Sequence, residues 1–124
     1  LDEALRLYKE AAIQSPGSAA LHYNIGNVLY RKGEFEKAYD EYRQAFPARD
    51  ATLAEGARFN AGNSHFARRN WPEAIRQYRE ALRINSADSD AKKNLELAIL
   101  NLGRPLFEVR APGFRQISMM ASGG

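Results

Sequence analysis

LHYNIGNVLYRKGEFEKAYDEYRQAF, residues 21–46, is answered further along the chain by ARFNAGNSHFARRNWPEAIRQYREAL, residues 57–82. Gly26 recurs as Gly62, Ala38 as Ala74, Tyr42 as Tyr78 and Ala45 as Ala81, each pair 36 residues apart. Upstream, Ala4, Tyr8 and Ala11 precede Ala38, Tyr42 and Ala45 by 34. Each copy reads as two amphipathic helices folded back on each other around a short break. A period in the thirties with helix–turn–helix content marks a stacked helical solenoid.

The small residues fix that period physically. Two helices approach closely only where side chains are short. Gly26 and Ala45 therefore let one hairpin close, with Ala38 at its seam, and Gly62, Ala74 and Ala81 do the same in the next. Ile25, Leu29, Tyr42 and Tyr78 fill the space between hairpins at helical spacing. A glycine inside a helix costs about 1 kcal/mol relative to alanine, which close packing must offset.

The pattern resembles the tetratricopeptide repeat. Tyr23, Asn24, Ile25, Gly26, Asn27, Leu29, Tyr30, Gly33, Ala38, Tyr42 and Ala45 stand where that family's consensus puts such residue types, and the likeness runs from about Leu1 to Leu102. It implies an all-α fold: a right-handed α-solenoid of antiparallel helix pairs, used for protein–protein recognition and not for catalysis. The expected organisation is a solenoid over residues 1–103, built from a half repeat (1–18), repeats at 19–52 and 53–88 and a capping helix at 89–103, then an irregular tail at 104–124.

Local signals set the expected elements. Residues 1–14 read as a helix matching only the second half of a repeat, which ends at Ser15-Pro16-Gly17-Ser18, where Ser18 can cap the next helix. Helices are expected over 19–32, ended by Gly33, and over 35–46. Either Asp50 or Thr52 could cap a helix reaching residue 68, and Thr52 with Glu55 forms a capping box. In the second repeat Arg69 replaces the turn glycine, and Asn70-Trp71-Pro72 opens a helix running to residue 85. The last helix spans 90–102. It carries Glu96 where its predecessors have Gly26 and Gly62, and a following helix would desolvate that carboxylate. It therefore closes the array, as solenoid ends require.

Composition bounds the function. With 124 residues the chain fits one domain. It has no cysteine, which excludes structural disulfides and thiol chemistry. Of the net charge of +3, the tail (Arg104, Arg110 and Arg115 against Glu108) supplies +2 and the repeats +1. Both signs are interspersed over the repeats, a solvated surface and not a nucleic-acid footprint. No apolar run reaches the length of a membrane span. The chain starts with Leu inside a repeat, as expected for a piece of a longer protein. His22 and His65, the only histidines, lie in separate repeats and are read as packing or capping residues. They lack metal-ligand spacing, and no glycine-rich loop is placed to cradle a phosphate. No cofactor is implied.

The candidate site is the concave wall, lined in such solenoids by the first helix of each hairpin. Helical spacing gives Tyr23, Asn27 and Tyr30 with Asn24 beside them, then Phe59, Asn63 and Phe66 with Asn60, then Asn94 in the last helix. An asparagine amide carries both a donor and an acceptor, so it can bond both polar groups of one peptide unit. A row of such amides among aromatic rings suits an extended peptide held through its backbone, a role the family resemblance also implies for these asparagines. The subtype that clamps a chaperone's terminal carboxylate does not fit: Tyr23 stands where it needs a lysine, and Asp90 and Asn94 where it needs a basic pair.

Three function classes result, of which a nucleic-acid binder using Arg68, Arg69, Arg76, Arg79 and Arg83 is the one the near-neutral repeats support least. The first is a non-catalytic module binding a protein or peptide segment in its groove. The second is a self-associating unit, a homo-oligomer joined through open solenoid ends or the tail. In the tail, Leu106, Phe107 and Val109, or Phe114 and Ile117, are candidates to dock on apolar surface, whether the last helix, a groove of the same chain or a neighbouring molecule; the alternative is a mobile linker. The closing segment, residues 90–99, also resembles the last helix of repeat arrays in bacterial aerotolerance-type proteins. That likeness implies an envelope-facing module with protein partners and no insertion of its own into the membrane; a cytoplasmic setting is the alternative.

Overall fold

The computed structural model describes residues 1–103, 113–115 and 117. Among these residues the chain forms six α-helices and no strand: α1 (Asp2–Gln14), α2 (Ala19–Arg31), α3 (Phe35–Gln44), α4 (Ala51–Ala67), α5 (Trp71–Ile84) and α6 (Ser89–Leu102). Each helix packs on the next in sequence, and α2 also packs on α4. This is the arrangement of a helical-repeat solenoid, in which neighbours share a ribbon of core.

The glycine argument has a direct geometric form. A Cβ placed on Gly26 would lie 2.6 Å from the Tyr42 ring, and one on Gly62 would lie 2.6 Å from the Tyr78 ring. Tyr42, Tyr78, Ala38, Ala45, Ala74 and Ala81 are completely buried. Each tyrosine thus lies across the glycine of its partner helix, and the alanines keep the helix axes close.

The turns repeat as well. At the end of α2, the Gly33 N–H donates to Tyr30 O and the Glu34 N–H to Leu29 O, both at 2.9 Å. At the end of α4, the Arg69 N–H donates to Phe66 O and the Asn70 N–H to His65 O, again at 2.9 Å. Gly33 has φ 81° and Arg69 has φ 60°. The second repeat keeps the left-handed turn although it has lost the glycine that favours it.

Helix starts differ from expectation at one informative place. Asp50, not Thr52, caps α4: its Oδ1 accepts the Thr52 and Leu53 N–H groups at 2.9 and 3.3 Å. The Thr52–Glu55 capping box does not form, and Glu55 is instead buried. Ser18 caps α2 by accepting from Leu21 N–H, and Asp88 caps α6 by accepting from Ala91 N–H. Asn70 precedes α5 without a side-chain cap bond. The remaining ends fall within one or two residues of the expected ones. Glu96 is exposed on α6, consistent with a closing helix.

Candidate functional site

The first helices, α2, α4 and α6, present a ladder of amides. Asn60 Nδ2 donates to Asn27 Oδ1 at 3.1 Å, and Asn94 Nδ2 donates to Asn63 Oδ1 at 3.1 Å. Each acceptor is also held by a tyrosine of its own repeat. Tyr42 OH donates to Asn27 Oδ1 at 2.6 Å, and Tyr78 OH donates to Asn63 Oδ1 at 2.5 Å. All four asparagines are buried. Their amide planes are therefore set by the scaffold, with little rotamer freedom left to lose on engaging a ligand.

The chain's own residues 113–115 and 117 lie against this ladder. The Arg115 N–H donates to Asn60 Oδ1 at 2.6 Å, and Asn60 Nδ2 donates back to Arg115 O at 2.7 Å. Both backbone groups belong to one residue and so to two successive peptide units, not to the single unit expected from sequence. Asn60 thereby imitates a neighbouring strand residue, which exchanges both bonds with its opposite number. Tyr23 OH donates to the same carbonyl at 2.6 Å and accepts from Asn60 Nδ2 at 2.9 Å. Burial pushes the Tyr23 hydroxyl up to about 12, so it remains a donor at neutral pH. Two residues back, Asn63 Nδ2 donates to Gly113 O at 2.9 Å.

Side chains of the segment are received separately. Phe114 packs against the Tyr30 ring, centroids 5.8 Å apart, with the Arg31 guanidinium 5.9 Å from its centroid. Ile117 fits the notch at Gly56, where an added Cβ would run into Ile117 Cδ1. The Arg115 guanidinium lies over the Phe59 ring, 4.0 Å from its centroid. It pairs with Glu55 through Nη1 and with Asp88 Oδ2 through Nη2, the latter at 2.6 Å. Burial and the adjoining Asp88 push the Glu55 carboxyl up to about 7, although Arg115 pulls the other way. Burial opposes ionisation of Asp88 too, but the adjoining Glu55 carboxyl and the hydrogen bonds from Arg115 and the Ala91 N–H hold it below its ordinary value.

The expected site residues thus divide by role. Tyr23, Tyr30, Phe59, Asn60 and Asn63 touch the segment. Asn27 and Asn94 hold the amides that do. Asn24 is half-buried and has no hydrogen bond to the described part of the segment. Phe66 has no ring contact with the described part of the segment: 2% exposed, it packs edge-on against Trp71, ring centroids 5.0 Å apart. Glu55, Asp88 and Gly56 complete the site without having been singled out. Glu55 stood in a capping context, which hid it, although a carboxylate on the inner stripe of α4 was a signal in itself, and Asp88 caps α6 as well as meeting Arg115.

Both histidines pack within the repeats. His22 bridges Glu41 Oε1 at 3.2 Å and Pro16 O at 2.8 Å. His65 stacks against Tyr39, centroids 4.3 Å apart, and burial lowers its pKa. Among the described residues no group of three His, Cys, Asp or Glu side chains is placed to hold a metal ion, and no helix is long and apolar enough to cross a membrane. Leu106, Phe107 and Val109 lie outside the described residues.

Helix pairs of fixed period, glycine–tyrosine seams and an asparagine-lined inner wall define a repeat scaffold of the kind that carries protein interactions. Two family profiles, each described as tetratricopeptide repeat, match residues 1–60 and 56–88. The chain belongs to the tetratricopeptide repeat family, whose members are protein–protein interaction modules and generally non-catalytic scaffolds. No curated protein sequence matches it.

Proposed function

We propose that the chain binds an extended peptide segment of a protein partner in its concave groove, through Asn60, Asn63 and Tyr23, with residues 1–103 as the scaffold. The observation that carries this reading is the reciprocal pair between Asn60 and the backbone of Arg115, at 2.6 and 2.7 Å. A buried amide that offers one donor and one acceptor to a single extended residue recognises backbone, and any L-peptide can supply that. The chain's own segment is then a stand-in for the partner.

A groove-cleared chain tests this: full length, carrying Phe114→Asp, Arg115→Ser and Ile117→Asp so that its own segment no longer competes. A fluorescein-labelled peptide of residues 111–119 (APGFRQISM) is expected to bind it, and Asn60→Ala with Asn63→Ala to weaken binding at least ten-fold while helicity is kept. Failure of that peptide to bind the folded chain would remove the reading.

A second reading, self-association, draws on apolar residues exposed at both ends: Leu1, Leu7 and Ile13 on the α1 side, and Leu97, Ile99, Leu100 and Leu102 on α6. Exchange of residues 113–117 between copies would use the same groove. Sedimentation that varies with concentration is the expected mark of this second reading; a constant monomer rules it out.

A further inference from the structure

We propose that the groove is an arginine reader: Glu55 and Asp88 receive the guanidinium of a partner segment of the pattern aromatic–Arg–x–aliphatic, and residues 114–117 of this chain are its resident competitor. The inference rests on the groove reading above and adds the side-chain chemistry of the ligand. Backbone bonds to Asn60 and Asn63 are indifferent to sequence. Selection must come from what the side chains meet.

Three features meet at the Arg115 head. Two carboxylates from different elements, α4 and the start of α6, take its two terminal nitrogens, and the Phe59 ring supports its plane. Glu55 is 4% exposed and Asp88 8% exposed. Burying two carboxylates side by side is unfavourable unless a cation bridges them. A planar guanidinium with forked donors does this, whereas an ammonium is a single strongly hydrated point charge. Among the described residues the second oxygen of Glu55 is buried without a hydrogen-bond partner.

Neither carboxylate is part of the repeat pattern. Counting back from the ladder asparagines, the place of Glu55 relative to Asn63 is taken by Ala19 relative to Asn27. The place of Asp88 relative to Asn94 is taken by Ala54 relative to Asn60 and by Ser18 relative to Asn24. The pair therefore belongs to one point of the wall. Flanking that point, the Tyr30 ring takes an aromatic residue one position earlier, and Gly56 makes room for an aliphatic one two positions later.

The test uses the groove-cleared full-length chain and three labelled peptides of residues 111–119: native, with Arg115→Lys, and with Arg115→Ala. The native peptide is expected to bind at least ten-fold more tightly than either variant. In a chain also carrying Glu55→Gln and Asp88→Asn, the native and Ala peptides are expected to bind within about two-fold of each other. Asparagine serves as an N-cap about as well as aspartate, so α6 keeps its start. Equal binding of all three peptides to the cleared chain overturns the arginine reading and leaves backbone recognition standing. No binding by any peptide overturns both. The peptide comparison alone decides the matter if the doubly substituted chain fails to fold.

Discussion

The two full repeats share one mechanism of holding an amide and differ in what that amide serves. Asn27 is clamped by Tyr42 and Asn60, and Asn63 by Tyr78 and Asn94, with matching distances. Yet Asn63 holds a carbonyl of the docked segment, while among the described contacts Asn27 serves as the acceptor that steadies Asn60. The acidic pair joins α4 to the start of α6, and the Gly56 notch lies on the other side of α4, beside Tyr23 of α2. On the proposed reading, a repeated wall supplies the backbone grip, and a local departure from the repeat supplies selectivity. Conserving a period and specifying a ligand are separate tasks, carried by different residues.

The largest effects should fall where the repeats agree. Gly26→Leu and Gly62→Leu each drive a branched side chain into a buried tyrosine ring, and each should destabilise by about 1–3 kcal/mol or more in denaturant unfolding. Similar losses are expected because the clearances match. A neutral Gly62→Leu would break the equivalence of the two seams.

Next come the asparagines, where the repeats should part. Asn60→Ala removes both backbone bonds to Arg115 and should release residues 113–117, read as loss of amide protection at Arg115. Asn27→Ala should act mainly on stability, by about 1–3 kcal/mol, since it leaves the Tyr42 hydroxyl buried without its acceptor. Release of the segment by Asn27→Ala with stability unchanged would reverse these assignments.

The turn is a smaller contrast. Arg69 occupies the left-handed conformation that Gly33 adopts without strain, so Arg69→Gly should stabilise the chain by about 1 kcal/mol. Lys or Ala at Gly33 should destabilise by a comparable amount. A destabilising Arg69→Gly would mean the arginine side chain contributes more than its backbone costs.

Acid dependence gives the finest test, with Arg115 and Asp88 the charged groups acting on Glu55. The Glu55 carboxyl is raised to about 7 in the folded chain, so the folded state binds the extra proton. Its contribution to stability is therefore full below the ordinary glutamate range and is lost as pH rises to about 7. The Arg115–Glu55 ion pair taken by itself has the opposite sign. Arg115 lowers the Glu55 value against the larger effect of burial, so the pair favours the ionised form and should strengthen as pH rises above 7. Glu55→Gln should flatten both profiles, seen in melting curves and in Arg115 amide exchange.

Much of the scaffold was legible because it depends on residue size at fixed spacing. Gly26, Gly62, Tyr42 and Tyr78 can be read from the chain, since a seam admits few alternatives. Asn60 and Asn63 were legible as inner-wall amides for the same reason. For Phe66, helical spacing gives a stripe but not which edge of it faces outward, and the structure packs its ring against Trp71 of the next helix. Glu55 was hidden because Thr52 offered it a local role, while the competing cap at Asp50 freed it to face inward. The fit of Phe114, Arg115 and Ile117 was beyond reach. It depends on where three elements meet in space, and no local period encodes that.

The backbone N–H of Arg115 in the full-length chain offers the most direct test, because it donates to Asn60 Oδ1 at 2.6 Å. Its hydrogen exchange, followed by nuclear magnetic resonance, should be slowed well below the rate of an unstructured peptide and return to that rate on Asn60→Ala. Exchange at the unstructured rate in the unmodified, folded chain would contradict the claim that the asparagine wall grips an extended backbone.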